Sequence, residues 1–131
     1  MMRYAILLMG APYSSQAAHS ALRFARAVVE RGHRLEGVFF YHDGVHNAAR
    51  LAAPPQDEPH LVDGWTALAA DHGVPLQVCI AAALRRGLLD EREATRHGKQ
   101  GHSVESPFEL TGLGQLVDLG LRCDRLVTFG P

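Results

Sequence analysis

Little in this sequence points outward to a metal, a membrane or a nucleic acid. There are only two cysteines, Cys79 and Cys123, and no CxxC pair, so neither a disulfide framework nor a thiolate zinc site is expected. The longest purely apolar stretch near the start, Tyr4 to Met9, is far too short for a signal peptide or a membrane span, which makes the cytoplasm the expected compartment. No charge of either sign dominates. A net charge of −1 with histidine neutral argues against direct contact with nucleic acid or an anionic membrane. Glycine-rich phosphate loops are missing too. Gly112-Leu113-Gly114 lacks a third glycine and a long preceding strand, so it is no dinucleotide fingerprint.

What is present is the composition of a folded domain. Apolar residues make up 47% and charged residues 21% of 131 positions, enough for one domain over 1–131 with a substantial core. The chain begins with a buried strand, Arg3 to Met9, turned by Gly10-Ala11-Pro12-Tyr13. Ser14 or Ser15 is placed to cap a helix whose inward positions are Ala18, Ala21, Leu22, Ala25, Val28 and Val29. Gly32 ends it, and Leu35 to Phe40 makes a second strand that runs into the polar loop Tyr41-His42-Asp43-Gly44. A loose segment around Pro54-Pro55 precedes a helix started by Pro59 and stopped by Gly73.

Pro75 to Val78 reads as a third strand, and Ala81 to Leu84 with Arg85, Arg86 and Gly87 as a short helix with its stop. Asp90 with Glu93 has the form of a capping box for a further helix ending near Gly98. Lys99 to Ser106 is polar and is expected to be a mobile loop. Phe108 to Leu110 reads as an extra strand, Thr111 as the cap of a helix through Leu113, Leu116 and Val117, and Asp124 to Phe129 as the last strand. Strands alternating with helices predict a three-layer α/β fold: a mostly parallel sheet of four to five strands with helices on both faces. Val45, Leu51, Leu88 and Leu89 exceed what one buried face needs, and some of them are expected in subunit contacts.

The candidate catalytic residue is Cys79, at the junction of the third strand with its helix. Open α/β sheets bind ligands at the carboxyl ends of their strands. Free N–H groups at a helix start favour an anion, and cysteines in that setting become thiolates more readily. An inert core cysteine is the competing reading, since free cysteine is among the most buried residue types. Cys79 and Arg85 also have the C-x5-R spacing of cysteine-dependent phosphatases, but Ile80-Ala81-Ala82-Ala83-Leu84 prefers a straight helix to a phosphate-wrapping loop. His42 and His46 stand four apart with Gly44 between them and no third ligand in view, so they read as loop histidines. Neither a metal nor an organic cofactor is expected.

The segments VFFYHDGV (Val38 to Val45), CIAAALRRG (Cys79 to Gly87), GLGQLV (Gly112 to Val117) and CDRLVTF (Cys123 to Phe129) resemble the DsrE/TusD family of sulfur-relay proteins. The likeness runs unbroken over nearly the whole chain. It implies a DsrE-like fold and a sulfurtransferase that accepts a sulfane sulfur as a persulfide on Cys79 and passes it on. The destination is wobble-uridine 2-thiolation of tRNA in the TusD branch and sulfur oxidation in the DsrE branch. It also implies two smaller homologous subunits (TusB/TusC-like or DsrH/DsrF-like) in a heterohexamer, with TusA-like donor and TusE/DsrC-like acceptor proteins. A non-catalytic scaffold subunit in which Cys79 is structural is the alternative from another class.

Overall fold

The computed structural model describes residues 1–131. Five strands form one sheet: β1 (Arg3–Leu8), β2 (Arg34–Phe40), β3 (Leu76–Cys79), β4 (Phe108–Thr111) and β5 (Arg125–Phe129). Their order is β4-β3-β2-β1-β5, and every neighbouring pair is parallel. Between them run α1 (Ala17–Glu30), a 3-10 helix (His42–Ala48), α2 (Leu61–His72), α3 (Ile80–Arg85), α4 (Glu91–Arg96) and α5 (Gly114–Arg122). The chain steps outward from β1 to β4 and then returns across the sheet to β5. Right-handed crossovers therefore place α1 and α2 on one face and α5 on the other.

Packing agrees with that geometry. Tyr4 meets Phe24 of α1 edge-on at 5.7 Å, and Phe40 meets Trp65 of α2 at 5.3 Å. On the opposite face Leu119 of α5 sits over Gly37, where an added Cβ would lie 3.2 Å from it. Glu36 is an extra residue in β2, opposite the step from Tyr4 to Ala5. Arg34 and Arg122 both reach its largely buried carboxylate, at 2.8 and 3.0 Å, so the bulge anchors the end of α5. The core cluster spans the sheet and both sets of helices, with Trp65, Phe39, Phe40 and Ile6 among its largest fully buried members.

Several local expectations are corrected. The N-cap of α1 is Gln16; Ser15 nevertheless accepts the Ala17 N–H at 3.3 Å. Thr111 belongs to β4, and α5 starts at Gly114 with Leu113 as its N-cap. Asp90 accepts the Glu93 N–H at 2.8 Å, half of a capping box without a return bond from Glu93. The stretch after Lys99 is pinned: Ser103 and Val104 donate to Leu89, Arg50 donates to Ser103, and Val104 is fully buried. Val45 and Leu88 are buried within the chain itself, whereas Leu51 is exposed. Their apolarity is satisfied by the 3-10 helix and the α3–α4 connection, so neither needs a partner subunit.

Candidate active site at the carboxyl edge of the sheet

Because all five strands run the same way, the segments that follow them meet along one edge. Cys79 ends β3, pairs in register with Thr111 of β4, and is also the N-cap of α3. Leu76 and Val78 are core strand residues, and the alanines that follow favour the helix, so the change of residue type fixes the junction at the cysteine. Cys79 is 2% exposed, and its sulfur makes no hydrogen bond. α3 runs straight through Ile80–Arg85 and leaves Arg85 exposed, so no loop cradles a phosphate beside Cys79.

The 3-10 helix after β2 packs on both β3 and α3. Its start is strained: His42 is left-handed at φ 49° and stacks on Tyr41 with ring centroids 4.1 Å apart. Tyr13, after β1, is the other non-glycine residue with positive φ, at 69°. Such conformations cost roughly 1–3 kcal/mol each and persist where surrounding contacts hold them. Tyr13 is held by its hydroxyl, which donates to Pro59 O at 3.0 Å and accepts from Leu61 N at 3.1 Å. Asp43 accepts from Arg86 Nε at 2.9 Å, and Arg86 Nη1 donates to Ala82 O at 3.0 Å. One guanidinium thus ties the β2 loop to the short helix that begins at Cys79.

Beneath this edge lies Asn47, which is fully buried. Its amide donates to Gly10 O at 3.2 Å and Gly44 O at 2.9 Å, and its oxygen accepts from Trp65 Nε1 at 3.2 Å. One side chain thereby joins the β1 loop, the 3-10 helix and α2. Gly44 is required by proximity, since a Cβ there would lie 2.1 Å from Leu8 O. Sequence reasoning passed over Asn47 and the Asp43–Arg86 pair. The signal for the first was the flanking pair Val45 and Ala48, apolar and three apart around an asparagine.

His42 and His46 lie on the 3-10 helix, and no group of three His, Cys, Asp or Glu residues could hold a metal. Cys123 lies at the other edge. It caps the end of α5, immediately before Asp124, whose N–H donates to Arg3 O at the start of β1. Both cysteines are free thiols. No helix is long and apolar enough to cross a membrane.

A profile of the DsrE/DsrF-like family matches residues 2–129. The chain is 48% identical over 129 residues to a protein of Allochromatium vinosum named as the sulfurtransferase DsrE, covering 98% of this chain and 99% of that one. It is 51% identical over 128 residues to the sulfurtransferase TusD of Klebsiella pneumoniae, covering 98% and 100%. Among solved structures, the ychN protein of E. coli superposes with a TM-score of 0.78 at 23% identity, over 98% of this chain and all of that one. That last likeness concerns the fold.

Proposed function

Since the chain belongs to the DsrE/DsrF-like family, we propose that it is a sulfurtransferase of a sulfur relay, with Cys79 as the residue that carries the sulfur. The near-half identity, over almost the full length, to two proteins named sulfurtransferases carries this reading. The position of Cys79 at the carboxyl edge, beside the 3-10 helix that starts at the strained His42, supports the choice of residue.

The chemistry is a sulfur exchange that needs no outside oxidant or reductant. The Cys79 thiolate attacks the terminal sulfur of a donor persulfide. A new S–S bond forms to Cys79, the donor's S–S bond breaks, and the donor leaves as a thiolate. An acceptor thiolate then attacks the same terminal sulfur and releases Cys79 as a thiolate. Because Cys79 is 2% exposed, each exchange requires a neighbouring segment of the carboxyl edge to move aside.

Assembly with homologous subunits fits the apolar surface of α5. Leu113, Val117 and Leu121 recur at every fourth position and are 46%, 63% and 82% exposed, opposite the inward Leu116 and Leu119. Leu126 of the edge strand β5 adds to them. Such an unpaired apolar stripe favours a subunit interface. A heterohexamer with two smaller homologous subunits, and donor and acceptor proteins of the relay type, complete the proposal.

One observation favours a second reading. The burial of Cys79 is what a structural cysteine in a scaffold subunit would show. Incubation with a cysteine desulfurase and cysteine, followed by intact mass spectrometry, separates the two. The relay reading predicts a gain of one sulfur that a reductant removes; a protein that stays unmodified while the desulfurase turns over would overturn it.

A further inference from the structure

The sheet decides what stands beside the sulfur. Val78 pairs with Phe40, whose ring meets Trp65 of α2 at 5.3 Å. Side chains alternate along a strand, so Cys79 turns to the opposite face, the one on which Leu119 of α5 covers Gly37. The register partner of Cys79 on β4 is Thr111, and residues paired in a parallel ladder share a face. Neighbouring strands lie about 4.8 Å apart, so the two β-carbons stand about one strand spacing from each other. No other residue of β4 holds that place. Leu110 pairs with Val78 and points to the α2 face, and Glu109 lies two residues back, about 6.6 Å toward the amino edge.

Thr111 is half-buried and its hydroxyl is uncommitted. Its one contact is with Gly112 O at 3.4 Å, longer than the roughly 2.5–3.0 Å of an O–H···O bond. The Cys79 thiol has no partner either; the one thiol that donates is Cys123, to Gly120 O at 3.6 Å. Threonine and bare cysteine thus stand side by side without bonding. A persulfide changes that. Its terminal sulfur, which carries the charge, lies about 2 Å beyond Sγ, and rotation at χ1 and at the Cβ–S bond sweeps it toward the neighbouring strand. The cations nearest in the chain are engaged or distant: Arg86 is held by Asp43 and Ala82 O, and Arg85 is exposed at the far end of α3. With six residues, α3 is also too short for a strong dipole.

We propose that the Thr111 hydroxyl donates a hydrogen bond to the terminal sulfur of the Cys79 persulfide anion and holds it between arrival and departure. The proposal rests on the sulfur-transfer reading above and adds to it the residue that recognises the loaded state. No proton changes owner: the O–H stays on the threonine and the sulfur keeps its charge. A hydrogen bond to an anion favours the charged form, so the hydroxyl lowers the pKa of the persulfide.

The test loads native protein, Thr111→Val and Thr111→Ser with a cysteine desulfurase and cysteine, removes the desulfurase, and alkylates across pH. Peptide mass spectrometry reads the alkylated persulfide at Cys79. Valine keeps the branched shape that suits the strand, and serine keeps the hydroxyl. The midpoint of persulfide alkylation should rise by about one pH unit in Thr111→Val, the tenfold effect of one charge-assisted hydrogen bond. Thr111→Ser should keep the native midpoint. The bare thiol, which the hydroxyl does not reach, should keep its own midpoint in every variant. Thr111→Ala also lacks the hydroxyl and carries the test if Thr111→Val misfolds by circular dichroism. A native persulfide midpoint without the hydroxyl, or a rise as large in Thr111→Ser, would overturn the proposal. An equal shift for the bare thiol would make Thr111 a structural part of the strand and overturn it likewise. In each of these cases loading of the native protein leaves the relay reading standing, whereas no sulfur on native Cys79 would overturn both.

Discussion

Asn47→Ala should cripple the protein although the residue touches no reacting atom. The substitution deletes three hydrogen bonds at 2.9–3.2 Å and leaves Gly10 O, Gly44 O and Trp65 Nε1 without their partner. At about 1 kcal/mol net per bond, with a further penalty for each buried group left unpaired, the expected loss is about 3–5 kcal/mol. That is a large part of the stability of a domain this size. Trp65→Phe keeps the ring against Phe40 and removes only the N–H donor, so it should cost about 1–2 kcal/mol. In a double-mutant cycle the two changes should couple by about 1 kcal/mol, because the second cannot remove a bond the first has removed. Urea unfolding of the four proteins measures this. An Asn47→Ala loss below about 1 kcal/mol, or zero coupling, would refute the claim that this amide organises the carboxyl edge.

Four further outcomes are expected. Gly44→Ala should destabilise by about 3 kcal/mol or more in denaturant unfolding, because its Cβ meets backbone atoms of Leu8 that cannot yield. Gly112→Ala, with nothing within 4 Å, should stay within about 0.5 kcal/mol. Arg86→Ala releases both Asp43 and Ala82 O; if that ion pair holds the site closed, its loss of about 1 kcal/mol should quicken alkylation of Cys79 about fivefold, and an unchanged rate would exclude the latch. Hydrogen bonds from the Arg3 side chain, then from its backbone N–H, hold the Asp124 carboxyl below the usual carboxylate range. A depressed folded-state value makes its contribution complete above the unfolded pKa near 4 and lost as pH falls through the folded one, so Asp124→Asn should flatten the acid end of the stability profile.

The sequence revealed most where residue type changes abruptly. Cys79 was legible as a junction because Leu76 to Val78 are strand-like and the following alanines helix-like, and the structure divides the chain there. The alternation of strands and helices likewise carried the parallel sheet. Strand order was not legible, because the return from β4 to β5 depends on which edge is free and on the cover α5 provides. The 3-10 helix was hidden for a different reason: Tyr41-His42-Asp43-Gly44 has turn chemistry, and only tertiary packing buries Val45, Asn47 and Ala48 behind it. The Lys99–Ser106 stretch read as mobile because its anchors, Leu89 and Arg50, lie far away in the chain.

The claim that Cys79 carries the sulfur is tested most directly by asking which cysteine gains it. Cys79 closes β3 at the carboxyl edge, while Cys123 lies before β5 at the opposite edge, so one cannot resolve or replace the other within a chain. Cys79→Ser and Cys123→Ser are each exposed to a cysteine desulfurase with cysteine and digested, and peptide masses locate the added sulfur. The account predicts no loading in Cys79→Ser with the fold intact by circular dichroism, and nearly native loading in Cys123→Ser. Equal loss in both variants, or sulfur on Cys123 alone, would contradict it.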